Sequence, residues 1–274
     1  MKNKFLLLHW LNFDIALGAV ITSLFIATSL AIEIPNSALL ALGLSVLAIY
    51  NFDHLLDARR IDDIALSSRH RYYQANLKML AIYQILLLLA IVITSWFVPF
   101  KILQAGSILA IITLIYFILL FIVLPKKFAL KELTIALVYT CGLFLAPVVI
   151  TEFTLSWQMM VMWTQVFLLA LINILLFSWF DYELDLKERH ASLALVIGKY
   201  RIHQLNIALL GLLALSIIAM IINGVAIQSQ IIILVMGIIL FLCILLNQRL
   251  RKKELFRLVA ESIFLVPLIY LLGK

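Results

Sequence analysis

The chain has 274 residues, of which 65% are hydrophobic and only 13% are charged. A soluble globular domain does not bury so large an apolar fraction, so the composition excludes an ordinary soluble protein. The formal net charge of +7 would suit nucleic acid, but the basic residues lie in short segments between long apolar runs, a topology pattern that predicts no nucleic-acid partner.

Nine apolar segments follow one another along the chain, and each is close to the roughly 20 residues that a helix needs to cross a bilayer. Their predicted ranges are 12–32, 36–56, 77–98, 103–124, 131–150, 158–180, 203–223, 230–247 and 255–272. The connections are short and contain turn residues, for example Pro35 and Gly224. The sequence therefore predicts an all-α membrane protein with nine transmembrane helices in one bundle, as a single domain over 1–274.

The basic residues fall almost entirely on one side of this arrangement, and only Lys101 and Lys274 lie on the other. Because cytoplasmic loops carry the excess of lysine and arginine, the asymmetry predicts that the N-terminus is cytoplasmic and the C-terminus outside. We expect an integral membrane protein surrounded by membrane lipids, in the cell (cytoplasmic) membrane if the source is bacterial, with its active site facing the cytoplasm. The basic cluster from Arg249 to Lys253 is interpreted as part of this topology signal.

Two acidic motifs of the form F-D-x-x-L-D end the second and the sixth predicted spans. The first motif places Asp53 and Asp57 four residues apart, and the second places Asp181 and Asp185 at the same spacing. On a helix this spacing puts both carboxylates on one face, where a bound cation or water must relieve their repulsion. Ionisable residues at such positions in a membrane protein are candidates for function.

The motifs also indicate an internal repeat. They lie four spans apart and reach the same predicted face of the membrane. This pattern predicts two four-helix units in the same orientation, over 12–124 and 131–247.

The surroundings of the motifs suit a metal and an anion together. Oxygen ligands without nearby cysteine or paired histidine favour Mg²⁺, which commonly bridges carboxylates and phosphates. Arg69 and Arg71 follow the first motif, Lys187 follows the second, and Lys131 opens the fifth predicted span. Carboxylates, metal and cations together fit a diphosphate, whose departure needs both metal and Lys or Arg to neutralise its charge.

These features resemble the UbiA-type family of intramembrane prenyltransferases, whose members have nine transmembrane helices and aspartate-rich motifs after the second and sixth. The second motif is followed by Ser192 and Gly198, similar to the family pattern of D-x-x-x-D, then Ser or Thr, then Gly. The segment from Leu130 to Thr134 reads L-K-E-L-T and is similar to the family's L-K-R-x-T opening of the fifth helix.

The first motif departs from the family pattern. The family's usual Asn-Asp pair falls on Ile49 and Tyr50, with Asn51 beside them, and the Arg-Pro segment that commonly follows is missing. In the second motif, Arg189 stands where many members have glycine. The resemblance is therefore to a divergent member of the family.

The resemblance implies Mg²⁺-dependent transfer of a prenyl group from an isoprenyl diphosphate donor to an aromatic or other lipophilic acceptor, as in quinone or lipid biosynthesis. It implies a central cavity capped by cytoplasmic loops. It also implies that the metal ligands are Asp53, Asp57, Asp181 and Asp185, and that these four with Lys131 are the catalytic residues. The substrate-binding residues that we predict beside them are Asn51, Arg69, Arg71, Lys187, Tyr182, Asn12 and Asp14.

Two other functions fit parts of the pattern. In a cation-coupled membrane transporter, the paired aspartates would bind the coupling ion and the repeat would supply two halves. A non-catalytic relative would keep the fold and bind isoprenoids without transferring them, as the eroded first motif permits.

Overall fold

The computed structural model describes residues 7–60, 64–119, 131–188, 192–251 and 255–273, and all regular elements in these ranges are helices. In chain order they are α1 (Phe13–Ser29), α2 (Asn36–Arg60), α3 (Ser68–Ala75), α4 (Leu77–Ser95), α5 (Phe100–Ile118), α6 (Lys131–Ile150), α7 (Trp157–Phe180), α8 (Tyr182–Glu188), α9 (Leu193–Ile197), α10 (Lys199–Ile222), α11 (Ile227–Leu245), α12 (Asn247–Arg251), α13 (Leu255–Glu261) and α14 (Leu268–Leu272). A short 3₁₀ helix, Ser262–Leu265, joins α13 to α14.

By length and composition, eight segments of the described chain qualify as membrane spans: α2, α4, α5, α6, α7, α10, α11 and Leu255–Leu272. Helix α1 is apolar but has only 17 residues. Each of the nine apolar runs of the sequence thus contains helix, and the protein is an all-α membrane protein. A count of nine spans and the orientation stay predictions.

Several helix boundaries differ from those that the sequence predicts. Helix α2 continues past residue 56 to Arg60, so the first acidic motif lies inside the helix. Helix α5 begins at Phe100 because Pro99 serves as its N-cap, and residues 120–124 of the predicted span lie outside the described residues. Helix α10 begins at Lys199, directly after Gly198, whose φ of 92° ends α9. The repeat of 12–124 and 131–247 stays a prediction.

Helix α7 forms the centre of the bundle. It packs against α6, α10 and α11, and side chains such as Leu169 and Ile172 are fully buried. By contrast, α4 and α5 leave most of their large apolar side chains exposed, for example Ile93 and Ile108. In a membrane protein such faces contact lipid, so α4 and α5 lie at the periphery.

The ends of α2 and α7 and the start of α6 bring the acidic motifs to one end of the bundle, which we call the aspartate end. Helix α3 packs against α2 and α4 at this end. Its Tyr73 is fully buried in a small apolar cluster with Leu55 and Leu80. This anchoring places α3 beside the first acidic motif.

Candidate functional site

The first motif faces a lysine from a neighbouring helix. Asp53 and Asp57 lie one turn apart on α2, and Lys131 is the first residue of α6. The Lys131 Nζ lies 4.0 Å from Asp53 Oδ1 and 3.8 Å from Asp57 Oδ2. The ammonium group therefore lies where a cation relieves the repulsion between two carboxylates.

The second motif keeps its helical turn although α7 ends within it. Asp181 is the C-cap of α7, and the Asp185 amide donates to the Asp181 carbonyl oxygen at 2.8 Å. Arg257, on α13, forms an ion pair with the Asp181 carboxylate. Each motif is thus balanced by a basic side chain from another helix.

Electrostatics connect the two motifs. Burial raises the pKa of the Asp185 carboxyl to about 7, and the negative charge of Asp181 acts in the same direction. The positive charges of Arg257 and Lys131 oppose this shift. Because Lys131 also contacts the first motif, the acidic pairs share one charged region.

Arg69, on α3, belongs to the same region. Burial lowers the pKa of its guanidinium, and the charge of Arg257 acts in the same direction. Glu261 and Asp181 oppose the shift, so Arg69 lies within the field of both carboxylates. Its Nε is buried and has no hydrogen-bond partner among the residues that the structure describes.

An apolar cavity of about 310 Å³ opens beside this charged region. Asp53 and Tyr50 line it at the aspartate end, and Val98 and Ile102 line it at the opposite end of the bundle. Along α2 the lining runs from Asp53 to Ala38, about 22 Å of helix. A molecule with an anionic head and a long hydrocarbon tail matches this arrangement.

Comparison with known proteins gives a match by structure and none by sequence. No protein-family model matches the sequence, and no curated protein matches it. The structure superposes on the apo structure of a UbiA homolog from Aeropyrum pernix K1 with a TM-score of 0.66, covering 96% of this chain and 97% of that chain. This chain has the UbiA fold. The two sequences are 14% identical, so the likeness lies in the arrangement of the helices.

Within the UbiA fold of this chain, Asn51 and Asn12 hold helices together. Asn51 Nδ2 donates to the Gln84 side chain at 2.8 Å, and Asn51 Oδ1 accepts from the Tyr73 hydroxyl at 3.2 Å. Asn12 Oδ1 lies 3.2 Å from His54 Nε2. Both asparagines are fully buried, and these contacts join α1, α2, α3 and α4.

Of three other predicted substrate-binding residues, two contact groups other than the aspartates and one is exposed. Arg71 donates to the backbone carbonyls of the loop before α3. Lys187 is exposed on α8. The Tyr182 ring lies 5.4 Å below Lys199 Nζ and packs in the cluster between α7 and α10. By contrast, Asp14 lies in a second ionisable cluster with His9 and Glu261.

Sequence reasoning did not single out Arg257 or Glu132 as parts of the site. Glu132 Oε1 accepts from Ser178 Oγ and from the Leu193 amide, both at 2.6 Å, and so joins α6 to α7 and α9. Arg257 lies four residues before Glu261, so the sequence places two ionisable groups on one face of a membrane helix. This spacing could have indicated that Arg257 has a functional role.

His54 is buried, with 5% of its surface exposed. Ligand atoms of His54, Asp57 and His70 lie within 4.8 Å of one another, a set that could hold a metal ion. The burial follows from the packing of α3 against α2, which the sequence pattern did not indicate.

Proposed function

We propose that this chain is an intramembrane prenyltransferase of the UbiA family, which transfers a prenyl group from an isoprenyl diphosphate to an aromatic or other lipophilic acceptor. One observation carries the proposal: Asp53 belongs to the charged region around Lys131 and also lines the long apolar cavity. A diphosphate at the aspartate end would leave its prenyl tail in that cavity. The UbiA fold supports the same function.

Asp53, Asp57, Asp181 and Asp185 are the proposed ligands of Mg²⁺. The donor set consists of carboxylate oxygens, and the position of Lys131 between the first two carboxylates indicates that a cation is favourable there. When bound, the metal supplies positive charge that stabilises a departing diphosphate.

The basic residues supply the remaining charge. As the allylic carbon–oxygen bond breaks, its electron pair goes to the diphosphate, and Lys131 and Arg69 are placed to offset the developing negative charge. Arg257 holds Asp181 in position through their ion pair. The apolar lining of the cavity keeps water from the prenyl cation, so that the acceptor, rather than water, forms the new bond.

The cavity favours this function over cation transport. Its lining is mostly apolar, and two of its serine hydroxyls are bonded to their own helices: Ser95 donates to the Val92 carbonyl at 2.6 Å and Ser107 donates to the Leu103 carbonyl at 2.8 Å. The cavity therefore offers a migrating cation few ligands along its length.

The test is to incubate purified protein with Mg²⁺, allylic diphosphates of increasing length, from geranyl to geranylgeranyl, and a series of aromatic acceptors, and to measure diphosphate release and prenylated products. We expect Asp181→Ala and Asp185→Ala to lose at least about a hundredfold in turnover. Glu183→Ala, an exposed acidic residue between them, is the matched control and should keep its activity.

If wild-type protein releases no diphosphate with any donor and any aromatic acceptor, the transferase proposal fails. Binding of the donors without turnover would then identify a non-catalytic relative. If both aspartate variants keep wild-type turnover, the metal is held elsewhere.

A further inference from the structure

Two histidines and one carboxylate form a cluster at the aspartate end, and the proposed transferase chemistry does not use the histidines. His54 and Asp57 lie three residues apart on α2, so their side chains share a face of that helix. His70 comes from the first turn of α3, and the ligand atoms of the three residues lie within 4.8 Å of one another. The packing of α3 against α2 thus creates a histidine pair that the sequence alone does not show.

The cluster is buried and close to metal-binding geometry. Each of the three residues is at most 9% exposed, and the two imidazole rings lie 6.3 Å apart between centroids. Ser67 caps α3 by accepting from the His70 backbone amide at 3.1 Å, which fixes the first turn of that helix. Tetrahedral coordination with metal–nitrogen distances of about 2.1 Å places ligand atoms about 3.4 Å apart, so shifts of less than about 1 Å per side chain would close the site.

The hydrogen bonding of His54 leaves one ring nitrogen for a metal. Its Nε2 lies 3.2 Å from Asn12 Oδ1, an amide oxygen that can only accept, so Nε2 carries the proton. Asn12 is held in this orientation because its Nδ2 donates to the Tyr73 hydroxyl at 3.5 Å. His54 Nδ1 therefore carries the lone pair, and it is buried without a hydrogen-bond partner among the described residues.

This arrangement of His54 is typical of a metal ligand. A metal-binding histidine almost always donates from its other ring nitrogen to a carboxylate, a carbonyl oxygen or water, as His54 does to Asn12. A buried acceptor nitrogen without a donor is costly, so a cation that takes its lone pair would bind favourably there.

The ligand types separate this cluster from the proposed Mg²⁺ site. Imidazole nitrogen suits transition metals such as Zn²⁺, whereas Mg²⁺ takes oxygen ligands. Two histidines and one carboxylate are a known ligand set of zinc sites that keep one position open. Asp57 belongs to both sets, and its two carboxylate oxygens allow it to contact both ions. Lys131 Nζ lies 3.8 Å from Asp57 Oδ2, so an arriving ion competes with this lysine.

We propose that His54, Asp57 and His70 form a binding site for a transition-metal ion, with Zn²⁺ as the ion that this ligand set fits best. The ion joins α2 to α3 and so holds α3, which also carries Arg69, at the aspartate end. Its open position takes water or an anionic oxygen. The site does not depend on the transferase function, and metal binding alone tests it.

One other set of described residues brings ligand atoms within 4.8 Å of one another, namely His9, Asp14 and Glu261. It contains a single histidine, whose Nδ1 already lies 2.6 Å from Asp14 Oδ2. An ion bound there would have one imidazole ligand, whereas an ion at the proposed site has two. The number of coordinated imidazoles therefore distinguishes the two sets.

The first test is a calorimetric titration of chelator-treated protein, without a purification tag, with Zn²⁺ in the presence of excess Mg²⁺. We expect one Zn²⁺ ion per chain. His54→Gln and His70→Gln should each weaken its binding more than about a hundredfold, because loss of even a hydrogen-bond partner of a ligand costs about 10- to 100-fold. Wild-type protein, but neither variant, should melt at a higher temperature when Zn²⁺ is added.

His203→Gln is the matched control. His203 also has a buried Nδ1 without a hydrogen-bond partner in the described part of the chain, but it lies on α10 and stacks on Trp179. This variant should bind Zn²⁺ as the wild-type protein does.

A spectroscopic count of imidazole ligands covers the case in which the His54 and His70 variants do not fold. Pulsed electron paramagnetic resonance of the protein with one equivalent of Cu²⁺ detects the nitrogens of coordinated imidazoles. The sequence has five histidines, so replacing His9, His190 and His203 by Gln leaves only His54 and His70. We expect two coordinated imidazoles in the wild-type protein and in this triple variant.

Three results would each overturn the inference. They are equal Zn²⁺ affinity in wild type and both single variants, displacement of Zn²⁺ by Mg²⁺, and fewer than two coordinated imidazoles in the wild-type protein. The two histidines would then serve only in packing α3 against α2. Absence of diphosphate release refutes the transferase function alone, because the binding measurements do not require turnover.

Discussion

Replacing Lys131 by glutamine tests whether this lysine takes the place of a metal in the resting protein. The change removes the ammonium group but keeps a polar side chain. With carboxylate oxygens at 3.8 and 4.0 Å, each ion-pair attraction is worth about 4 kcal/mol at an effective dielectric constant of about 20. The net stabilisation is smaller, because the three side chains, which are only 12–22% exposed, lose hydration.

Without the lysine, Asp53 and Asp57 repel each other unless another cation binds. We therefore expect Lys131→Gln to have a lower melting temperature than wild type in the absence of Mg²⁺, and a larger rise when Mg²⁺ is added. A ligand present at 100 times its dissociation constant stabilises the folded state by about 2.7 kcal/mol. Turnover should fall about 10²- to 10³-fold, equivalent to about 2.7–4 kcal/mol of lost charge stabilisation on the departing diphosphate.

The assay is a thermal melt in detergent over a Mg²⁺ titration, with diphosphate release measured on the same samples. Lys101→Gln is the control, since Lys101 forms a shorter ion pair, 2.9 Å to Glu152, but both side chains are more than 70% exposed. Exposed ion pairs contribute little, so this variant should respond to Mg²⁺ as wild type does. If Lys131→Gln also responds like wild type and keeps its turnover, the lysine does not replace a metal.

Three further predictions concern stability, pH and chain length. Glu132→Ala removes the acceptor of two 2.6 Å hydrogen bonds and should lower the free energy of unfolding by about 3 kcal/mol, measured by thermal melts, whereas Glu132→Gln keeps an acceptor and should cost less. Because the pKa of Asp185 is about 7, Mg²⁺ must displace a proton at lower pH; its affinity, measured by calorimetry, should fall about tenfold per pH unit below 7. A Cβ at Gly106 meets no atom within 4 Å, so Gly106→Phe should extend into the cavity and slow turnover of the longest donor more than that of the shortest.

Each of these has a control and a contradicting result. Equal stability loss in Glu132→Ala and Glu132→Gln would mean that the hydrogen bonds do not matter. Asp185→Asn should bind Mg²⁺ more weakly and with less dependence on pH; wild-type binding that does not change between pH 6 and 8 would exclude Asp185 as a ligand. Gly211→Phe, at an open position outside the cavity lining, should not change donor preference. If Gly106→Phe keeps the donor preference of the wild-type protein, the prenyl tail lies elsewhere.

Run length and motif spacing were sufficient to predict much of the architecture. The apolar runs predict where helices lie because an unpaired backbone in lipid is costly, and the F-D-x-x-L-D motifs indicate which helix ends carry charge. The resemblance singled out Lys131 next to these motifs, and the structure brings it to Asp53 and Asp57. Its role, like those of the four aspartates, stays a prediction.

Side-chain direction within the bundle could not be predicted in the same way. These helices are apolar on almost every side, so hydrophobic periodicity does not show which face points inward. No sequence pattern therefore indicated that Glu132 is only 4% exposed and joins three helices. Arg257 looked like one more basic residue of the topology signal. Their positions depend on contacts between segments far apart in sequence.

The ion pairs of the resting site have a kinetic consequence. Lys131 already offsets part of the negative charge of the first motif, and Arg257 forms an ion pair with Asp181. A metal arriving alone must displace a lysine, and a diphosphate arriving alone must draw basic side chains away from their carboxylates. Arrival of the two as a preformed complex lets both exchanges happen together, so that each basic side chain and each carboxylate gains a new partner of opposite charge as it loses the old one. The rate of a transferase built in this way should follow the concentration of the metal–diphosphate complex, and an excess of either component alone should slow it.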